Sequence, residues 1–373
     1  MSRKAAALLL TILILINGSA CGKKSSRYEA EFLRLFDTLT KIIAYSDSEA
    51  DFTEQAQLIH DSLEEYHQLY DIYNEYEGIN NLKTVNNNAG IAPVKVDRRI
   101  IDLIRFAMDW YEKTDGKVNI AYGSVLKLWH DCREAAGEDP EQARLPQRDQ
   151  LLEAGRHTDI DKIIINEEES TVFLEDPDMR LDVGAVAKGY ATEEVSRIAR
   201  ENGFTSGLIS VGGNVRAISG KAISGGKPHG KKTTEIGGEG DDDSGDSIMP
   251  WNVGIQNPDL ESEKEQLLSI NLTDASLVTS GIYERFYTVG GRNYHHIIDP
   301  ETLYPSEYFM SVSIVCKDSG VADALSTAVF NMPLEQGLEF INSLPDTEAL
   351  WVLKNGELRL SEHFEDFLAD AKN

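Results

Sequence analysis

Short apolar runs joined by tight turns recur through the second half of this chain, and they limit the possible folds more than any other feature. They fall at about 207–211, 214–218, 252–256, 267–272, 285–289 and 311–316. Each has the length of one strand and is too short for a helix. The segment 163–174, IIINEEESTVFL, is two apolar runs around a polar turn, and ALWVL with ELRL around Asn355-Gly356 closes the chain in the same way. Both read as hairpins. Helices interleave with them. At 53–78, Ile59, Leu63, Tyr66, Tyr70 and Tyr73 keep helical spacing up to Gly78; at 98–113, Ile101, Ile104, Met108 and Tyr111 do so up to Gly116. Further helices are expected after Gly184, with Ala191, Val195 and Ile198 on one face, and at 321–331 and 334–343. Hairpins dominate, so the expected fold class is α+β, mainly antiparallel sheets with packed helices, rather than a doubly wound parallel sheet.

The N-terminus reads as an address. MSRK is followed by the apolar run 5–16, which is short for a membrane span but suits the core of a signal peptide. Small residues then lead into Cys21, the pattern of a bacterial lipoprotein signal. Residues 1–20 are therefore expected to be the signal, Cys21 the lipidated new N-terminus, and 21–30 a polar tether. An ordinary secretory signal is the plainer alternative; KKSS after Cys21 favours the lipid anchor. The expected location is extracytoplasmic, held to the cell membrane by lipid.

The rest, 31–373, is long enough for one large domain and, with 41% hydrophobic residues, can build a core. A net charge of −27 argues against nucleic acid as a partner. An anionic ligand would need local help from a metal, a lysine or a helix N-terminus. Cys132 and Cys316 are too few for a disulfide scaffold, though a bridge between them stays open. Residues 221–250 are rich in Gly, Ser, Lys and Asp and read as a flexible surface insertion. GGKPHGKKT within it imitates a phosphate loop but has Lys232 where Ser or Thr is required; EGDDDSGDS imitates a calcium loop without its spacing.

Three stretches carry the chemistry. LDVGAVAKGY at 181–190 reads as a strand ending at Asp182, a tight turn, and a helix with Lys188 in its first turn. A helix N-terminus beside a lysine can cradle phosphate; alone, the stretch could equally be a plain strand-to-helix connection. HIIDP at 296–300 offers His295 or His296 as a proton acceptor. ADALSTA at 322–328 sets Asp323 and Thr327 four residues apart on one helix face, an oxygen pair suited to Mg²⁺. The plain alternative is an Ala-rich core helix with Asp323 as its cap. That face is expected to be exposed. Thr279, Ser280 and Gly281 are expected at a strand end.

Nine blocks occur in a fixed order: LFDTLT, DIYNEYEGINNLKTVN, KVNIAYGSVLKLW, LDVGAVAKGY, SVGGNVRAISG, WNVGIQNP, VTSGIYERFY, HIIDPETLYP and ADALSTA. Together, from about Phe36 to Leu360, they resemble the ApbE-like flavin transferases, the FAD:protein FMN transferase family. LFDTLT resembles the family's opening strand. The resemblance implies an ApbE-like fold related to a duplicated T-fold. It implies FAD as substrate, Mg²⁺, and transfer of FMN to a Ser or Thr of an extracytoplasmic flavoprotein with release of AMP. By position, Phe36, Tyr73, Lys117, Val118, Asn119, Asp182, Lys188 and Ile298 match FAD-contacting residues. Ala185, through its carbonyl, Asp323 and Thr327 match metal ligands, and His296 the catalytic histidine. Asn119 stands where aspartate is common, Leu303 where glycine is usual, and Ser326 where some members have a carboxylate. An FAD pyrophosphatase, or a flavin-carrying surface lipoprotein without turnover, would share the same pocket.

Overall fold

The computed structural model describes residues 25–223 and 247–369. Its centre is an eight-stranded sheet of β1 Ser26–Leu33, β2 Leu39–Ser46, β6 Gly207–Val211, β7 Asn214–Ile218, β12 Ser276–Gly281, β15 Phe309–Cys316, β16 Glu348–Leu353 and β17 Leu358–Leu360, side by side in that order. All neighbours run antiparallel. Small ladders surround it: β3 Val94–Lys95, β5 Thr171–Leu174 and β4 Ile163–Asn166; β8 Lys221–Ile223 with β9 Ser247–Met249; β10 Trp251–Gln256 with β11 Gln266–Leu272; β13 Phe286–Val289 with β14 Arg292–His295. The helices are α1 Glu49–Tyr70, α2 Leu82–Asn87, α3 Arg98–Lys113, α4 Gly123–Glu138, α5 Arg148–Ala154, α6 Ala187–Glu201, α7 Ser319–Phe330 and α8 Leu334–Ser343.

Alternation along the strands divides the core in two. Ile209, Val278, Ile314 and Trp351 face α1, α3, α6 and α7; Leu208, Leu277, Val315 and Leu350 face the β10–β11 ladder through Trp251, Ile255, Ile270 and Leu272. The sheet is thus covered on both sides, helices on one and a β-ladder on the other. This is the expected α+β class. Among the described residues, no helix is long and apolar enough to cross a membrane.

Several local expectations shift. Ser26–Ala30, expected in the tether, already belong to β1. LFDTLT is not a strand throughout: Leu35–Asp37 make a 3-10 turn, and β2 starts at Leu39. The first helix stops at Tyr70 rather than near Gly78, because the Asp71 carboxylate accepts the amides of Tyr73 and Asn74 at 2.6 and 3.0 Å and bends the chain away. Asp182 follows an isolated bridge between Tyr122 and Arg180 and ends no strand. The 221–250 insertion is narrower than expected, since its flanks pair as β8 and β9. Residues 224–246, with both imitation loops, lie outside the described residues, as do Cys21 and the signal segment. Cys132 and Cys316 are free thiols.

Candidate active site

One cavity of about 720 Å³ gathers residues from widely separated parts of the chain. Phe36 comes from the β1–β2 tip, Tyr73 from the bend after α1, Lys117 and Asn119 from the turn after α3. His130 and Arg133 come from α4, Asp182 to Lys188 from the entry to α6, His296 and Ile298 from the segment after β14, and Asp323 and Thr327 from α7. Of the site residues expected from sequence, only Val118 does not line it. Val118 is 1% exposed and packs in the helix-side core, its amide tied to Thr114 Oγ1 at 3.2 Å.

The α6–α7 contact builds the oxygen pair. A side chain at Gly189 would put its Cβ 2.2 Å from the Ser319 carbonyl and 2.4 Å from Asp323 Cβ, so only glycine lets the helices approach this closely. Val186 gives α6 no side-chain cap; instead Asp323 Oδ2 accepts the Gly189 amide at 2.8 Å, capping the helix from its neighbour. Asp323 is only 4% exposed, which corrects the expected open helix face, and Asp318, not Asp323, caps α7. Burial raises the Asp323 pKa, against Lys188, the Gly189 amide and Asn214, which favour its charge. Asn214 faces that carboxylate, yet its buried Nδ2 closes no hydrogen bond. Ser326 turns away, its hydroxyl 2.8 Å from Ser280 Oγ and donating to the Asp323 carbonyl.

The two histidines separate cleanly. His295 spends both nitrogens on the fold: Nε2 donates to the Ser306 carbonyl at 2.9 Å and Nδ1 accepts the Ile297 amide at 3.3 Å. His296 is held by Arg285, whose carbonyl accepts its backbone amide at 3.1 Å and lies 3.2 Å from its Nδ1. A carbonyl only accepts, so Nδ1 carries the proton and Nε2 keeps a free lone pair. The residue is exposed to the cavity's solvent, while protein atoms crowd around the ring. That crowding, with Lys188 and Arg285 nearby, pushes its pKa down to about 3. Contact with the cavity's water works against the shift; its direction leaves the ring neutral at neutral pH.

Other expected contacts prove to be shared with the fold. Lys117 is paired with Asp299 and Glu301, anchoring the loop below Ile298. Asn119 donates to the Thr158 carbonyl and accepts the Ala121 amide, holding its own turn. Asp182 accepts the Gly184 amide at 2.9 Å, and burial raises its pKa. Leu303 adopts φ +64°, so the turn keeps a left-handed residue without glycine. Phe36 also has positive φ, +53°, and its amide donates to His67 Nδ1 at 3.2 Å.

Residues the sequence reading missed include His130 and Arg133, because α4 was read as a motif and not as a helix. His130 stacks on Tyr73 with ring centres 4.8 Å apart and accepts from Arg133 at 2.8 Å. Their three-residue spacing on a helix was the available signal. Arg285 and Asn214 carried none, since their neighbours in the cavity come from distant parts of the chain. Lys188 and Arg285 form no ion pair among the described residues, although both line the cavity. Unpaired cations, an exposed aromatic stack and a free imidazole lone pair define a cavity for a ligand that is both anionic and aromatic.

Comparison with known proteins agrees with that class. A model of the ApbE family matches residues 36–351. A Treponema pallidum protein named FAD:protein FMN transferase is 31% identical over 366 residues, covering 95% of this chain and 93% of its own length. One of the same name from Klebsiella pneumoniae is 30% identical over 284 residues, 74% of this chain and 76% of its own. The solved ApbE protein of Thermotoga maritima superposes with a TM-score of 0.75 at 28% identity, over 92% of this chain and all of its own. The flavin transferase ApbE of Vibrio cholerae, at 22% identity and a TM-score of 0.71, covers 92% of this chain and 100% of its own and shares the fold. The chain belongs to the ApbE family.

Proposed function

We propose that this protein is an FAD:protein FMN transferase. The observation that carries the reading is the free Nε2 of His296 in the same cavity as Lys188 and the Asp323–Thr327 pair. The family membership and the names of the relatives support it. The acceptor hydroxyl oxygen attacks the FMN-side phosphorus of FAD and its proton passes to His296 Nε2. The bond from that phosphorus to the bridging oxygen breaks, and AMP leaves with the oxygen and the bonding pair. Lys188 and the N-terminus of α6 hold the phosphate oxygens. The Tyr73–His130 stack offers an aromatic surface to a ring of the ligand.

Mg²⁺ belongs to this reading, and the donor set fits it. The Ala185 carbonyl, Asp323 and Thr327 are all hard oxygens, and of the two Asp323 carboxylate oxygens it is Oδ2 that takes the Gly189 amide. Bound there, the ion supplies neutralising charge for the pyrophosphate. The acceptor is an extracytoplasmic flavoprotein with an accessible Ser or Thr, reached because lipid on Cys21 tethers the enzyme to the membrane; the signal pattern supports this location. The test is incubation with FAD, Mg²⁺ and candidate secreted flavoproteins, followed by intact mass and nucleotide chromatography. The acceptor gains FMN less water while AMP appears. AMP with free FMN and no labelled acceptor replaces this reading with a pyrophosphatase; FAD that stays whole replaces it with a carrier.

A further inference from the structure

Arg285 serves the cavity twice from one position. Its carbonyl fixes His296, and the residue lines the same cavity and forms no ion pair among the described residues. Several arginines of this acidic chain are tied to carboxylates, as in Arg98–Asp102, Arg99–Asp97, Arg197–Glu194 and Arg216–Glu193, whereas Arg285 and Arg133 both line the cavity without such a partner among the described residues. An exposed arginine on the cavity wall beside a free imidazole is available to an anionic partner from outside the chain.

Its place relative to Lys188 narrows what that partner is. Both cations act on His296. Lys188 is the cation felt by Asp323, whereas Arg285 is felt by Asp182 and by Tyr73. His296, Lys188 and Arg285 line the same cavity, together with Asp323 and Tyr73. A phosphoryl group within reach of His296 Nε2 lies in a cavity lined by both Lys188 and Arg285.

We propose that Arg285 is a further catalytic residue, its guanidinium donating, alongside Lys188, to the oxygens of the phosphoryl group under transfer. This rests on the transferase reading above. In phosphoryl transfer, charge spreads over the equatorial oxygens, and catalysis comes mainly from donors already aimed at them. A guanidinium presents two parallel N–H groups to such an anion and breaks no ion pair to do so. No bond to Arg285 forms or breaks.

The experiment compares wild type with Arg285→Gln, Arg285→Lys and Arg285→Ala, measuring AMP release and acceptor labelling against FAD concentration. All three keep the backbone carbonyl that holds His296. Arg285→Gln is expected to lower kcat on the order of 10²-fold, as for loss of one aimed donor, with the KM for FAD nearly unchanged. Arg285→Lys is expected to retain an intermediate rate. Millimolar guanidinium is expected to restore part of the Arg285→Ala rate, whereas neutral urea does not. Equal kcat in wild type and Arg285→Gln overturns the inference while leaving the transferase intact. So does a loss that neither lysine nor guanidinium repairs, since that marks a structural role. A wild type that releases no AMP and labels no acceptor overturns the reading beneath it.

Discussion

His296 and Asp323 have ionisation states set by what surrounds them, and each yields a prediction. Crowding by protein atoms, with Lys188 and Arg285 nearby, pushes the His296 pKa down to about 3 in the ligand-free protein, against the ring's exposure to the cavity's solvent. A bound pyrophosphate adds negative charge beside the ring and favours the protonated form, so the pKa rises on binding. The acid limb of kcat, which reports the bound enzyme, is expected at higher pH than that of kcat/KM, which reports the free one. Paired pH profiles check this, and the reverse order of limbs would sink it. His296→Ala should bind FAD and transfer more slowly by roughly 10²–10⁴-fold. Asp323 has a raised pKa, so the folded state holds its proton more tightly than the unfolded chain. Its contribution to stability is favourable below the unfolded value of about 3.9 and is lost as pH rises. Asp323→Asn keeps an acceptor for the Gly189 amide and removes the charge. The metal-free variant should melt higher than wild type at neutral pH, with the gain closing at acid pH, and should lose Mg²⁺-dependent turnover. A lower melting point at neutral pH would refute the argument. Sequence alone identified the pair Asp323 and Thr327 but placed it on an open face, because the partner that buries Asp323 is 134 residues away at Gly189.

At the scale of elements, α6 and α7 form the unit on which the site depends. Their boundaries were readable: Lys188 falls in the first turn of α6, and α7 covers most of the expected 321–331 helix. Their closeness was not, since Gly189 looks in sequence like any helix glycine and its role appears only against the Ser319 carbonyl. Gly189→Ala should force the helices apart and cost about 1–3 kcal/mol, the usual range for overpacking. It should also weaken the response to Mg²⁺, because Asp323 moves with α7. Denaturant melts and Mg²⁺ titrations of turnover test both halves; a variant as stable as wild type with an unchanged titration would show that the contact relaxes freely. The errors elsewhere share one cause. The end of α1 depends on the side chain of Asp71 capturing amides, and the 35–40 turn depends on residues with positive φ, Phe36 and Asp37, neither of which periodicity reports. The missed α4 packs Trp129 against Tyr294 and Tyr304, an aromatic cluster assembled from distant sequence.

For the whole molecule, strand alternation foretold hairpins and the α+β class but not the order of the sheet. β2 pairs with β6 through Thr40 and Val211, and β7 pairs with β12 through Val215 and Leu277. No local pattern encodes such partners; burial on both faces does, and it requires the complete chain. The same logic isolates the insertion. Its flanks end at Ile223 and Ser247, which face each other as register partners in the β8–β9 ladder. Partners in an antiparallel ladder have Cα atoms about 5 Å apart, a gap that a short hairpin turn closes. Among the described residues, Lys221, Ile248 and Met249 belong to neither core nor to the cavity lining. Replacing residues 224–246 with a short Asn-Gly-containing turn should therefore leave the melting temperature within a few degrees and FAD affinity unchanged. A loss of labelling with intact FAD binding would assign the segment to the acceptor protein. A large fall in melting temperature would show that the sheet depends on residues beyond the ladder's end.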